Sequence, residues 1–243
     1  MSRSLSVNLD HIATLRQVRR TRYPDLATAA GLCELAGADG ITLHLRGDRR
    51  HIQDRDLDVI RTTSLLPMTF EMAPTAEMLE IALRIKPRTV TLVPERPEEL
   101  TTEGGLRVDA MREEITRMTD LLKQDGIRVL MFIEPDEAQL RSSKDVGADG
   151  VELHTGRYAL LGEEENYIEA SAERERIRQA ARIGQELGLM INAGHGLHYQ
   201  NVQALAAIPG LEEFSIGHGI VARAVLVGLE RAVREMRELI EKN

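Results

Sequence analysis

Seven histidines, His11, His44, His51, His154, His195, His198 and His218, each fall at or just beyond the C-terminal end of a segment that reads as a β-strand. Imidazoles titrate near neutral pH, so a group of them gathered in one place suits proton transfer or metal ligation. Two carboxylates share the pattern, Glu71 in the run MTFEM and Glu152 in GVELH. A carboxylate and an imidazole at adjacent strand ends are expensive to bury unless paired or used, and burial tunes both towards neutrality.

The strands that position these groups are expected at Leu5–Asp10, Gly40–Leu45, Met68–Met72, Thr89–Pro94, Arg128–Ile133, Gly150–His154, Leu189–Asn192 and Glu213–Gly217. Between them lie helical patterns such as AEMLEIALRI, RVDAMREEITRMTDLLKQDG and RERIRQAARIGQELG, with apolar residues at i, i+3 and i+4. Eight β-then-α units predict a parallel sheet closed into a (β/α)8 TIM barrel, and 243 residues match one such domain over 1–243. Barrel enzymes build their sites at the C-terminal strand ends, where all seven histidines fall.

Side-chain alternation separates a helix-packed outer face from the barrel interior. It places Asn8 with Asp10, Thr42 with His44 and Arg46, Thr69 with Glu71, Glu152 with His154, and Ser215 with Gly217 inside. Val7, Phe70, Met72, Val151, Leu153, Phe214 and Ile216 then face outwards. For Asn8 and Thr69, a hydrogen-bonded layer or a helix cap explains the residue as well as a ligand contact does.

Two arginine-rich stretches, Arg16 to Arg22 and Arg46 to Arg50, put positive charge beside the first two strand ends, where guanidinium groups suit phosphate or carboxylate. Arg20, Arg22 and Arg49 read better as solvated surface. The glycine-rich NAGHG and IGHG segments are expected to offer bare backbone N–H groups where helices begin, as in the phosphate site after strands seven and eight of many barrels.

The remaining composition narrows the chemistry. With 39 Asp plus Glu against 31 Lys plus Arg, a net charge of −8 argues against nucleic acid or an anionic membrane as partner. No segment approaches a membrane span, and the protein is expected in the cytoplasm. The single cysteine, Cys33, reads as a buried helical residue. The four lysines, Lys86, Lys123, Lys144 and Lys242, lie on helices or at the tail, which disfavours an enzyme-bound Schiff base. Mixed nitrogen and oxygen ligation of a metal stays open.

The segments VNLDHIATLRQVR, ADGITLHLRGDRRHI, FEMA, TTEGG, ELHTGRYA, NAGHGL and IGHGIVARAV, in that order along nearly the whole chain, resemble the pyridoxine 5′-phosphate synthase family. That resemblance implies a cofactor-free condensation of 1-deoxy-D-xylulose 5-phosphate with 3-amino-2-oxopropyl phosphate, giving pyridoxine 5′-phosphate, inorganic phosphate and water. It implies no metal. The family's two proton acceptors fall on His44 and Glu71, its proton donor on His195 and its transition-state-stabilising carboxylate on Glu152. Asp10, His11, Arg46, His51 and Thr101 match positions for the deoxyxylulose phosphate, and Asn8, Arg19, Gly196, Gly217 and His218 those for the amino ketone. The family's assembly is an octamer of dimers, of which the sequence by itself supports only an oligomer.

The long connection PERPEELTTEGGL, with Gly104 and Gly105 near Thr101, is expected to close over bound substrate. The charged stretch LLGEEENYIEASAERERI and Gly47 depart from the family's pattern without touching a catalytic match. Two other readings of the residues are a metal-assisted phosphosugar epimerase or aldolase on the same fold, and a non-catalytic phosphate-binding scaffold.

Overall fold

Eight parallel strands pair in sequence order and close on themselves: β1 (Ser4–Asn8), β2 (Gly40–His44), β3 (Met68–Met72), β4 (Thr89–Leu92), β5 (Arg128–Ile133), β6 (Gly150–His154), β7 (Met190–Gly194) and β8 (Glu213–Ile216). The closing pair sets Ser4 against Glu213 and Val7 against Ile216. This computed structural model describes residues 3–96 and 104–241. The architecture is the (β/α)8 barrel that the alternation of elements predicts.

Helices surround the barrel. Three strands, β1, β6 and β8, are each followed by two helices in place of the single one expected: α1 (Asp10–Arg19) and α2 (Leu26–Leu35), α7 (Gly156–Glu163) and α8 (Tyr167–Glu186), and α10 (His218–Val227) and α11 (Leu229–Glu241). The others are α3 (Asp54–Thr63), α4 (Ala76–Ile85), α5 (Arg112–Gln124), α6 (Glu137–Asp145) and the short α9 (Val202–Ala206). Asp25, Thr75 and Asp136 cap α2, α4 and α6 by accepting backbone N–H groups from the first turn.

Strand boundaries shift for local reasons. β1 stops two residues before the expected Asp10, because the Asp10 N–H turns back onto Asn8 Oδ1 and opens α1. β4 ends at Leu92, short of Pro94, whose ring nitrogen has no proton for a ladder. β7 runs on to Gly194, since Ala193 and Gly194 remain paired with both neighbouring strands.

The outward residues Val7, Phe70, Met72, Val151, Leu153, Phe214 and Ile216 are buried beneath the helices as expected. Each such side chain contributes roughly 1.5–3 kcal/mol on removal from water. The interior is polar by contrast: Ser6 Oγ lies 2.7 Å from Thr42 Oγ1, and Ser215 Oγ donates to Thr42 at 3.4 Å. Arg16 serves the fold. Its guanidinium grips Asp56 at 2.7 and 2.6 Å and donates to the His51 carbonyl at 3.1 Å, fixing the segment that carries His51.

Candidate active site

The register of β2 and β3 sets His44 opposite Glu71. Asp10 anchors the corner: it accepts the His44 N–H at 2.9 Å, while its own N–H donates to Asn8 Oδ1 at 2.9 Å and Asn8 Nδ2 donates to Asp10 Oδ2 at 3.1 Å. The imidazole stands between two carboxylates. Nε2 is 3.0 Å from Glu95 Oε1, and Nδ1 is 3.8 Å from Glu71 Oε2.

These two carboxyl groups differ electrostatically. Burial pushes Glu95 up, but the hydrogen bonds from His44 and the Gly47 N–H, with nearby positive charge, outweigh it and hold Glu95 below the ordinary carboxylate value. Glu71 is driven well above that value, by burial first and then by the charges of Glu152 and Asp10. An ionised Glu95 keeps a proton on Nε2, so the Nδ1 lone pair faces Glu71. The result is a basic nitrogen beside a carboxyl poised to exchange a proton.

Glu152 lies across the barrel on β6, paired in register with Asn192. A Cβ on Gly194 would come within 2.0 Å of Glu152 Oε1, so only glycine leaves room for this carboxyl. Burial, then repulsion from Glu213, pushes Glu152 up to about 8, and burial followed by the charge of Asp39 pushes Glu213 up to about 7. Because the folded chain holds the Glu152 proton more tightly than the unfolded chain, its contribution to stability is lost as pH rises from the ordinary glutamate value towards about 8. Glu152→Gln, a permanent copy of the neutral form, should therefore raise Tm at pH 8 by about 5 °C, roughly 1–3 kcal/mol, while activity falls. Differential scanning calorimetry at pH 5 and pH 8 checks this, with the gain confined to the higher pH.

The rim carries the remaining imidazoles. His11 and His218 meet edge to face at 5.2 Å, and His51 lies 6.1 Å from His44. Burial lowers both His11 and His51, partly opposed by Asp10, so these rings are neutral near pH 7. Arg46 brings a cation to the site. It is 2 % exposed and donates from Nη2 to the Arg96 carbonyl at 2.9 Å, while its Nε and Nη1 have no partner among the described residues. A buried guanidinium with two bare donors is built to meet an anion.

His195 follows β7 at φ 79°, a left-handed backbone that costs a non-glycine residue of order 1–3 kcal/mol. Thr155 Oγ1 holds this turn, lying 2.7 Å from the Gly194 carbonyl and 2.6 Å from that of His195. Gly196 continues the turn, but the expected helix does not begin there: the NAG of NAGHG completes β7, His195 and Gly196 form the turn, and α9 starts only at Val202. IGHG does open a helix. Gly217 caps α10 and packs against the Asn8 side chain, which brings Asn8, His11, Gly217 and His218 together.

Not every expected residue joins this cluster. Arg19 is exposed at the far end of α1, about 14 Å along the helix from Asp10. Arg20 and Arg22 are exposed, and Arg49 pairs with Asp54 at 3.1 Å, all as surface residues. Thr101 lies outside the described residues, as does the whole PEELTTE segment, 97–103.

Two carboxylates without an expected role stand in the site. Glu95 holds His44, and Glu134 lies 2.8 Å from His154 Nδ1. Extending strand alternation past Thr91 and Phe132 points Glu95 and Glu134 inwards, a signal carried by parity alone. Ligand atoms of Asp10, His44 and Glu71 also lie within 4.8 Å of one another, a set able to hold a metal ion.

Residues 5–242 match the family model for "Pyridoxal phosphate biosynthesis protein PdxJ". The chain is 54 % identical over 236 residues to a pyridoxine 5′-phosphate synthase of Syntrophotalea carbinolica, covering 97 % of this chain and 98 % of that one. A pyridoxine 5′-phosphate synthase of Synechococcus sp. (strain CC9902) is 55 % identical over 238 residues, covering 98 % and 94 %. Among solved structures, KGPDC from Streptococcus mutans superposes with a TM-score of 0.65 at 14 % identity, covering 100 % of this chain and 99 % of that one, a likeness of fold.

Proposed function

The chain belongs to the PdxJ family of pyridoxine 5′-phosphate synthases and acts in vitamin B6 biosynthesis, and from that premise we propose that it joins 1-deoxy-D-xylulose 5-phosphate to 3-amino-2-oxopropyl phosphate, releasing inorganic phosphate and water as the pyridine ring closes. The observation that carries the reading is His44 set between an ionised Glu95 and a Glu71 driven towards its neutral form. Ring closure by condensation needs repeated proton removal and return at neighbouring carbons and oxygens, which a base beside a proton-exchanging carboxyl supplies.

In this scheme the amine of one substrate adds to the ketone of the other, so no enzyme lysine is required. His44 and Glu71 accept protons through dehydration and enolisation, and His195 donates one to a departing oxygen. Glu152 favours the cationic character of an imine when ionised, and its value near 8 leaves part of the population ionised at neutral pH. Arg46, with Asp10, His11, His51 and Thr101, binds the deoxyxylulose phosphate. Asn8, Gly196, Gly217 and His218 bind the amino ketone, the last two from the start of α10, while Arg19, out at the far end of α1, is left without a part in the scheme.

The reading extends to a single catalytic domain over 1–243, working in the cytoplasm as a homo-oligomer of octamer type, without nucleic-acid or membrane partners. Exposed Leu15 and Val18 on α1, with Val225 and Leu226 on the neighbouring α10, give such an assembly an apolar face to cover. Among the described residues no helix is long and apolar enough to cross a membrane. The test is to supply both phosphorylated substrates and then withhold each in turn. Pyridoxine 5′-phosphate should form only when both are present; its absence from a folded sample given both would refute the assignment.

A further inference from the structure

A second imidazole–carboxylate pair stands behind the His195 turn, and the scheme above gives it no part. His154 closes β6 with its Nδ1 2.8 Å from Glu134 Oε1, the same oxygen that accepts the Gly105 N–H at 3.0 Å. Burial pushes Glu134 up, but the His154 hydrogen bond, the Gly105 N–H and the charge of Arg176 hold it below the ordinary carboxylate value. An ionised Glu134 fixes the tautomer: the proton sits on Nδ1, and Nε2 becomes a bare acceptor.

That acceptor is buried, and it has no partner among the described residues. It lies on the side of the His195 ring, whose centroid is 5.0 Å from that of His154. A Cβ on Gly156 would fall 2.4 Å from His154 Nε2 and 2.9 Å from His195 Cδ2, so glycine here lets the two rings approach. Phe132 closes the other flank at 5.3 Å. A buried polar nitrogen left bare costs about 1–3 kcal/mol, a cost that a merely structural histidine has no reason to carry.

We infer that Glu134 and His154 are positioning residues for His195, fixing its imidazole and favouring its protonated form in readiness to donate. The inference rests on the reading of His195 as proton donor. The charge of Glu134, relayed through the His154 dipole, raises the proton affinity of His195, and the other titratable group on this strand, Glu152, faces the Gly194 side of the same turn. The shared Glu134 oxygen also ties this pair to Gly105, at the end of the connection that follows β4.

The test compares the full-length protein with Glu134→Gln and Glu134→Asp, following the His195 ring by nitrogen-15 NMR titration and turnover with both substrates. Glu134→Gln should lower the proton affinity of His195 about three- to tenfold and move the alkaline limb of kcat to lower pH by the same factor. It should also cut kcat about tenfold with KM within twofold, and Glu134→Asp should restore most of both. An unmoved His195 titration, or a loss confined to KM and thermal stability, overturns the inference. A moved titration with unchanged kcat upholds the coupling and removes His195 from the donor role instead. His154→Asn breaks the link from the other side and is read in the same way should Glu134→Gln misfold.

Discussion

Glu71→Gln should lower kcat by about 10²–10⁴-fold, the range by which a positioned proton-transfer group accelerates a reaction. The wild-type carboxyl is 13 % exposed, opposite His44 in the β2–β3 register, and its affinity for a proton is raised by burial and by Glu152 and Asp10. Glutamine copies the neutral carboxyl that this environment favours, so Tm should hold or rise and misfolding cannot account for the loss. A base must be deprotonated to act. The wild-type rate should therefore climb with pH through the raised value of Glu71, and that acidic limb should vanish in the variant. Saturating kinetics across pH, with Tm measured alongside, test this; turnover within about threefold of wild type would remove Glu71 from the base role.

His195→Asn should be nearly as severe, about 10²–10³-fold in kcat. Asparagine is chosen because it tolerates a left-handed backbone better than most residues, and His195 sits at φ 79°. The Thr155 hydroxyl contacts the carbonyls of Gly194 and His195, neither of which the substitution touches, so the turn should persist. The side chain loses only its titratable group. An unchanged KM with a lost alkaline limb is the expected signature, and a variant within a few-fold of wild-type kcat would show that another group donates the proton.

Much of this arrangement was legible in the sequence because it follows from two periodicities. Apolar alternation in MTFEM and GVELH set Phe70, Met72, Val151 and Leu153 against the helices and sent Glu71 and Glu152 inside. Glu95 and Glu134 escaped notice because each lies past the apparent end of its strand, beside a proline, where the chain reads as loop and alternation is no longer counted. Helix onset was equally hidden after NAGHG. His195 and Gly196 there form a left-handed turn that packs through Gly196 on Ala159 of α7, and α9 begins only after it. The paired helices α7 and α8 went unread because the charged GEEEN stretch between them disguises two separate starts, the second capped by Asn166. Arg19 marks the limit of position along the chain: eleven residues beyond the end of β1 in sequence, it is carried by α1 out to the surface.

Asp10, His44 and Glu71 are at once the acid–base corner and a trio able to ligate a cation. The most direct measurement is therefore the rate at which exhaustively chelated protein converts both phosphorylated substrates, with pyridoxine 5′-phosphate and inorganic phosphate followed together. Proton transfer by His44, Glu71 and His195 predicts one phosphate released for each pyridoxine 5′-phosphate formed, at the rate of untreated protein. A rate abolished by chelation and restored by added divalent cation would contradict it.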